Sequence, residues 1–590
     1  MDNATRTQKG GLLGNLFQGN FWNSRITSAN VRSKELWLGY VLGPFGMMLL
    51  QSIVNSYFNQ YLTDVLGFTV SRGAWIASFM VLFPLLSKIV DALTNVGMAK
   101  LLDNTTCRQG KLRPWFILSI PIVTVSVLML FWIPFASPVA QAVWIVIAYN
   151  LFYSVGYTMW YMAYELSAAL STRNFSQRKN NSMAGQITKN IGTGIISILF
   201  PTILSAVCAM VGGSNKTGYL LCMSIMCCVA VPLTFLQYFF TRERITEERR
   251  NQYGVVGANE KDAVKIKEAS FMEQFHACIK DKYWIMLIIM ILLYQVLNAM
   301  KGISQVYYSG WVVNGNAYGE YAAIQAKFTM ISMAPMGPGL LLLLPAFKKF
   351  GRTKVIIVGS VLAMLGSAAA FFSPGKTGAI YGGTALASIG TMTFIYSLMT
   401  FIGDSIDHVE YTQGIRVEGF TAALVGFAEM FSKGIGQALF NLGLAVTKYD
   451  TPEQIGSFVN KKGQEIALYA DQTIGATNWI NFSFQGSFLL MGVLFFVLFV
   501  FFFKIERNMP TVQEALAEKK RKECEAMGIE YIPQKELERR EREAQKEEAE
   551  ANRIKDLKEY CAKRGLDFDK ENQKVLDKRA AKAAKKAKRK

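Results

Sequence analysis

Asp91, Thr94 and Asn95 fall within five residues of one strongly apolar segment. In a helix, Asp91 and Asn95 stand one turn apart on one face, with Thr94 on the adjoining edge. A carboxylate, a hydroxyl and an amide oxygen in that register are the donors that a small hard cation takes. Lys88 lies three residues earlier, so an Asp91–Lys88 pair is the competing use of the same carboxylate. Glu429 and Lys433 are spaced four apart in another apolar segment, in the order that favours a helical ion pair. Lys433 can also reach Asp91 if both face one space. Glu165 follows the aromatic series Tyr157, Trp160, Tyr161 and Tyr164. Aromatic faces stack on sugar rings, and they also pack cores. Asn55 and Asn59 share a face of an earlier apolar segment, while Lys189, Lys301 and Lys327 are lining or snorkelling groups. An ionisable side chain in hydrocarbon is costly unless paired or hydrated, so those that persist are the functional candidates.

The elements that must position them are membrane helices. Apolar types make up 51% of the 590 residues and charged types 18%. Residues 505–590 alone hold 44 charged residues, which leaves the first 504 too poor in charge for a soluble domain. A soluble multidomain enzyme, a disordered chain and a fibrous protein are thereby excluded. Runs long enough to cross a bilayer as helix occur at roughly 36–62, 72–98, 115–135, 139–169, 184–212, 217–240, 284–313, 320–346, 353–373, 378–403, 419–447 and 478–504. These twelve spans divide the chain into a disordered lead (1–35), a six-helix bundle (36–240), a linker (241–283), a second six-helix bundle (284–504) and a charged helical tail (505–590). Within the linker, 266–280 reads as an amphipathic surface helix or as plain solvated chain. The basic end, 579–590, reads as a contact for anionic lipid or as a solvated tail.

Charge sets the orientation. Lys100, Arg108, Lys111 and Arg113 fall between spans 2 and 3, and Arg173, Arg178 and Lys179 between 4 and 5. Lys348, Lys349, Arg352 and Lys354 fall between 8 and 9. The positive-inside rule then places both termini in the cytoplasm. It also accounts for the net charge of +20, so no nucleic-acid partner is expected. The turns Arg108–Arg113 and Lys349–Lys354 are both basic and centred on Gly110 and Gly351, at matched places in the two halves. Such a repeat fits a six-plus-six transporter whose halves rock about a central site. Only two histidines, His276 and His408, are present, and the eight cysteines show no metal spacing. The cysteines read as free thiols, and neither a membrane-embedded enzyme nor a resident metal or cofactor is expected.

Longer motifs carry a resemblance. They are Leu38-Gly-Tyr-Val-Leu-Gly-Pro-Phe-Gly46, Tyr61-Leu-Thr-Asp-Val-Leu-Gly67, Gly110-Lys-Leu-Arg-Pro-Trp115, the stretch Gly403–Gly419 with Asp404, Asp407, Arg416 and Glu418, and Ser432-Lys-Gly-Ile-Gly436. In this order they resemble the glycoside–pentoside–hexuronide:cation symporter family, over about residues 35–504. The resemblance implies the major facilitator fold and sugar uptake coupled to Na⁺ or H⁺. It implies that Asp91 is a cation-site acid and that Lys433 serves the cation and sugar sites. It implies that Lys111, Arg113, Asp404, Asp407, Arg416 and Glu418 belong to a cytoplasmic gate. Three positions depart from the family pattern. Asn95 replaces a second acid, Met48 stands near a sugar-binding acid, and Met162 or Ala163 stands near another. An acidic sugar drawn to lysines is therefore an open substrate class.

The expected protein is a monomeric, multi-pass secondary transporter of the plasma membrane. It carries a small molecule, a glycoside above all, by alternating access. An uncoupled facilitator and a lysolipid carrier on the same fold are the alternatives. The tail has no counterpart in the resemblance.

Overall fold

The computed structural model describes residues 17, 20–105, 107–172, 174–212, 215–247, 270–459, 465–526 and 534–587. The first half comprises α1 (Ser33–Val65), α2 (Ala74–Asp103), α3 (Arg113–Phe131), α4 (Pro138–Ser171), α5 (Phe175–Met210) and α6 (Asn215–Phe240). A short helix, α7 (Phe271–Lys280), precedes the second half. There follow α8 (Lys282–Tyr307), α9 (Tyr321–Met333), α10 (Met336–Phe350), α11 (Arg352–Phe371), α12 (Thr377–Gln413), α13 (Glu418–Val446) and α14 (Ile474–Phe502). The charged end forms α15 (Ile505–Ala526), α16 (Gln534–Arg564) and α17 (Phe568–Ala587).

Among the described residues, nine helical stretches are long and apolar enough to cross a membrane. One of them, Lys282–Met333, runs through the expected seventh and into the eighth span. α5 and α13 fall where spans 5 and 11 are expected, but each is more polar. α5 has an apolar stretch only over Gly194–Met210, and α13 carries Glu429 and Lys433. Among the described residues, the strands are β1 (Gln454–Val459) and β2 (Glu465–Tyr469), an antiparallel pair in the connection between α13 and α14.

The two halves meet along three helix pairs. α2 packs on α13, α5 on α9 and α1 on α8. Shifting by six spans turns the first pair into the second, which is the relation a pseudo-twofold axis requires. Gly434 makes the α2–α13 contact close. A Cβ there would lie 2.6 Å from Lys88 Cγ and 3.0 Å from the Pro84 carbonyl oxygen.

The repeated basic turns have a shared device that sequence reading did not find. Gly110 and Gly351 hold positive φ angles of 119° and 85°, and each opens a helix. Glu243, just after α6, accepts the backbone N–H groups of Lys111, Leu112 and Arg113 at 2.8–3.0 Å. Glu506, just after α14, accepts those of Arg352 and Thr353 at 2.8 Å. Each carboxylate satisfies donors that the first turn of a helix leaves open. The matched words Phe239-Phe240-Thr-Arg-Glu243-Arg244 and Phe502-Phe503-Lys-Ile-Glu506-Arg507 were the available signal.

One boundary expectation needs correction. The lead is not without structure over its described part. The Arg25 N–H donates to the Phe239 carbonyl at 2.8 Å, and Tyr238 and Arg113 both donate to the Trp22 carbonyl. Aromatic burial against the end of α6 outweighs the polar composition there. Of the two readings of 266–280, the described part is the helix Phe271–Lys280, which Ser270 and Glu273 start with a capping box. Residues 1–16, 248–269 and 588–590, on which the rest of the lead, linker and basic-end readings fall, lie outside the described residues. All eight cysteines are free.

Burial pushes the Glu506 carboxyl up, but its bonds to Thr353 and Arg352 outweigh this and hold it below the usual carboxylate range. Its contribution is therefore present above that range and is lost as pH falls through the lowered value. Glu506→Gln should destabilise the second half by about 1 kcal/mol at neutral pH. The gap from wild type in thermal melting should close in acid below pH ~4.

Candidate functional site

α2 and α4 bring the first candidate acid into an ion pair rather than into an open ligand set. Lys88 Nζ lies 2.5 Å from Asp91 Oδ2, and both side chains are buried. Ser154 Oγ, from α4, donates to the other Asp91 oxygen. The Lys88 ammonium also sits over the Tyr153 ring at 4.7 Å and the Tyr149 ring at 5.8 Å. Thr94 donates its hydroxyl back to the Val90 and Asp91 carbonyls at 3.0 Å. The Asn95 amide donates to Met430 Sδ of α13 at 3.0 Å. The three expected ligands are thus not gathered round one point. In low dielectric an ammonium outbids an amide for the carboxylate, and it draws Asp91 away from Asn95.

The second pair also separates. Glu429 accepts from Gln295 Nε2 of α8 at 3.1 Å, and no Glu429–Lys433 ion pair forms among the described residues. Lys433 is exposed in the middle of α13, between Lys88, Lys189, Asp91 and Glu429 from both halves. Asp91 is engaged by Lys88, so the expected Lys433–Asp91 contact is not made in this state.

The aromatic series splits by helix face. Trp160 is fully buried, donates to Gln237 Oε1 at 2.8 Å and stacks on Tyr164 with centroids 5.0 Å apart. These two rings pack the first half and offer no open platform, because α6 lies against their face. Tyr161 is half-buried and accepts from Lys189 Nζ at 3.1 Å, and Glu165 beside it is exposed. Asn55 is exposed and accepts from the Tyr153 hydroxyl at 2.5 Å. The side chains that line the space between the halves are therefore Asn55, Tyr161, Glu165, Lys189, Glu429 and Lys433.

One end of this space is closed. At the end of the helices away from the termini, Asn59 Nδ2 donates to the Tyr307 hydroxyl at 3.0 Å and Gln437 Nε2 to Asn59 Oδ1 at 3.3 Å. Gln325 Nε2 donates to the Tyr57 hydroxyl at 2.8 Å, and Asn441 Nδ2 to the Met80 carbonyl at 2.8 Å. Asn59 is thus part of a seal and not lining. Asp64 sits in the same layer, bonded to Tyr318 and Tyr449. Sequence reading missed it because span 1 was expected to end at residue 62, whereas α1 continues to Val65.

At the end that carries the termini, the ion pairs of the expected gate run within one half. Lys111 pairs with Asp103 at 2.8 Å. Arg113 is buried, donates to the Tyr238 and Gln109 carbonyls and lies 4.5 Å from the Tyr238 ring centre. Asp404 pairs with Arg352. Arg416 pairs with Glu410 at 2.5 Å, with Asp407 at 3.6 Å and with Glu418. The space is thus sealed at one end and unlatched by these residues at the other.

Residues 39–507 match the family model described as MFS/sugar transport protein. The chain belongs to that family. It is a multi-pass membrane transporter and not an enzyme. It is 26% identical over 426 residues to the isoprimeverose transporter of Lactiplantibacillus pentosus, covering 70% of this chain and 80% of that protein. It is 23% identical over 432 residues to a glucuronide carrier protein homolog of Escherichia coli, covering 71% and 86%. A solved structure, the xylose transporter XylE from E. coli in a partially occluded inward-open conformation, superposes with a TM-score of 0.50. It shares 14% identity and covers 79% of this chain and 99% of its own. That likeness shows the fold, the major facilitator fold.

Lys88→Met leaves the Asp91 carboxylate buried without its counter-ion. It should destabilise the purified protein by about 3–5 kcal/mol, and Lys88→Met with Asp91→Asn should recover most of that. Thermal melting in detergent reads both, and a single variant that melts like wild type would refute the buried pair.

Proposed function

We propose that this transporter carries a glycoside by cation-coupled symport, with Na⁺ or H⁺ as the coupling ion. The observation that supports it most is the space between the halves. Lys433, Glu165 and Asn55 are exposed there in mid-helix, while a cross-bundle layer at Asn59 and Asp64 closes one end. Water-filled space lined by charge inside a membrane bundle is what a solute pathway requires. In this reading both termini are cytoplasmic, the protein is a monomer of the plasma membrane and the state is open to the cytoplasm. The basic groups Lys111, Arg352, Lys348 and Lys349 at the terminal end support that orientation.

The substrate bridges Tyr161, Glu165 and Lys189 of one half to Glu429 and Lys433 of the other, and so draws the halves together. Two lysines in the space suit a sugar bearing a carboxylate as well as a neutral one. The names of the isoprimeverose and glucuronide relatives support both classes as probes. A cation acts at Asp91, where it competes with Lys88. Ion binding and the Lys88 pair then favour different states, and coupling needs that difference. Asn95 and Thr94 would complete the ion's shell after rotating from their present partners.

A second reading, an uncoupled facilitator, is favoured by one observation. Lys88 already neutralises Asp91, so no external cation is needed to bury that carboxylate. A lysolipid or other solute carrier on the same fold is tested alongside. Reconstituted protein is given labelled isoprimeverose, a glucuronide or a lysolipid, with and without a Na⁺ or H⁺ gradient. Symport is expected to raise accumulation at least about tenfold with one gradient, and Asp91→Asn should remove that gain while leaving counterflow. Equal uptake in all gradient conditions would discard coupling, and lysolipid uptake without sugar uptake would discard the glycoside.

A further inference from the structure

A polar cluster that joins the two bundles is centred on Asp64, in the Tyr61–Gly67 motif. Its carboxylate accepts from the Thr63 hydroxyl at 2.7 Å, from the Tyr449 hydroxyl at 3.0 Å and from the Tyr318 hydroxyl. Thr63 belongs to the first half, and both tyrosines belong to the second. Each tyrosine is itself held in place. The Tyr318 ring stacks on Trp311 with centroids 4.5 Å apart, and its oxygen accepts from Gln60 Nε2 at 2.9 Å. The Tyr449 oxygen accepts from Trp311 Nε1 at 3.1 Å. Both hydroxyls are committed as acceptors, so each has only its proton left to give, and Asp64 is where it goes. Two charged side chains at this end are otherwise occupied. Arg72 donates to the Leu66 carbonyl, and Asp450 accepts from Ser71 and Thr69. The seal at this end therefore includes, beside its neutral bonds, one carboxylate held by hydroxyls from both bundles.

We infer that Asp64 is the latch residue of the mouth away from the termini, and that its carboxylate–hydroxyl bonds set how often this mouth opens. This rests on the reading that the two bundles rock. Opening pulls Tyr318 and Tyr449 off Asp64, and charge-assisted bonds are about twice as strong as neutral ones. Asp64→Asn keeps the shape but puts an NH₂ group where a carboxylate oxygen now accepts a hydroxyl proton, and three hydroxyls donate to this one side chain. At least one buried donor is then unmatched in the closed state alone, which favours opening. Asp64 acts as a positioning residue, since its role is to hold one state and not to touch the substrate.

The test is the reactivity of a reporter, Leu444→Cys, in the full-length protein. Leu444 is 4% exposed and lines a small void behind the latch with Thr63 and Tyr449. A polar maleimide should label residue 444 at least about tenfold faster when Asp64→Asn is added. Peptide mass spectrometry separates it from the native cysteines. Tyr449→Phe should give a smaller rise, and the Asp64→Asn, Tyr449→Phe pair no more than Asp64→Asn alone, because both remove one interaction. Unchanged or slower labelling in variants that melt like wild type would overturn the latch. If Asp64→Asn fails to fold, Tyr449→Phe decides the matter on the same terms. Wild-type counterflow is measured beside this. Labelling that rises without any counterflow would refute the transport reading and leave the latch standing, and the converse would refute the latch alone.

Discussion

A charge inside a membrane bundle has to find an opposite charge, a set of dipoles or water, and the architecture follows from which it finds. Lys88 and Asp91 find each other and can be buried. Arg113 finds carbonyls and an aromatic face. Asp64 finds three hydroxyls. Lys433 makes no ion pair among the described residues, and like Glu165 it stands exposed between the halves. The lining groups of the space are bonded mostly within their own half, whereas those of the closed end are bonded across the halves.

That division gives the two ends of the molecule different chemistry. At the end with the termini, the ion pairs of Lys111, Asp404 and Arg416 stay inside each half, beside the helix starts held by Glu243 and Glu506. They brace each bundle as a rigid unit without tying one to the other. The other end is built from tyrosine, asparagine and glutamine bonds that cross between bundles. Apart from those to Asp64, these bonds are neutral and individually modest, so a layer of them can form and break within a transport cycle. Ion pairs buried at the same place would hold one state too firmly.

Much of the fold was readable because the bilayer is a severe filter. Every long apolar run had to be a helix, since backbone groups in hydrocarbon have no other partner. The repeated Gly110 and Gly351 turns were readable for a similar reason, as glycine is needed at their positive φ angles. The hairpin at 454–469 was not, because a polar loop carries no comparable constraint. Nor was the packing of residues 20–32 on the end of α6, which depends on a partner more than 200 residues away.

The sequence by itself determined which residues are costly: Asp91, Glu165, Glu429, Lys433 and their neighbours stand out against apolar runs with no structure needed. Helical spacing also determined which of them share a face. Only the tertiary structure decided what each one meets. Asp91 and Asn95 do lie one turn apart, yet Lys88 and Ser154 claim the carboxylate while Met430 receives the amide. Trp160 and Tyr161 are adjacent, yet one packs α6 and the other borders the open space. Periodicity ranks faces within a helix, but partner choice depends on distances between helices, and those are set by contacts such as Gly434 against Lys88 that no local pattern encodes.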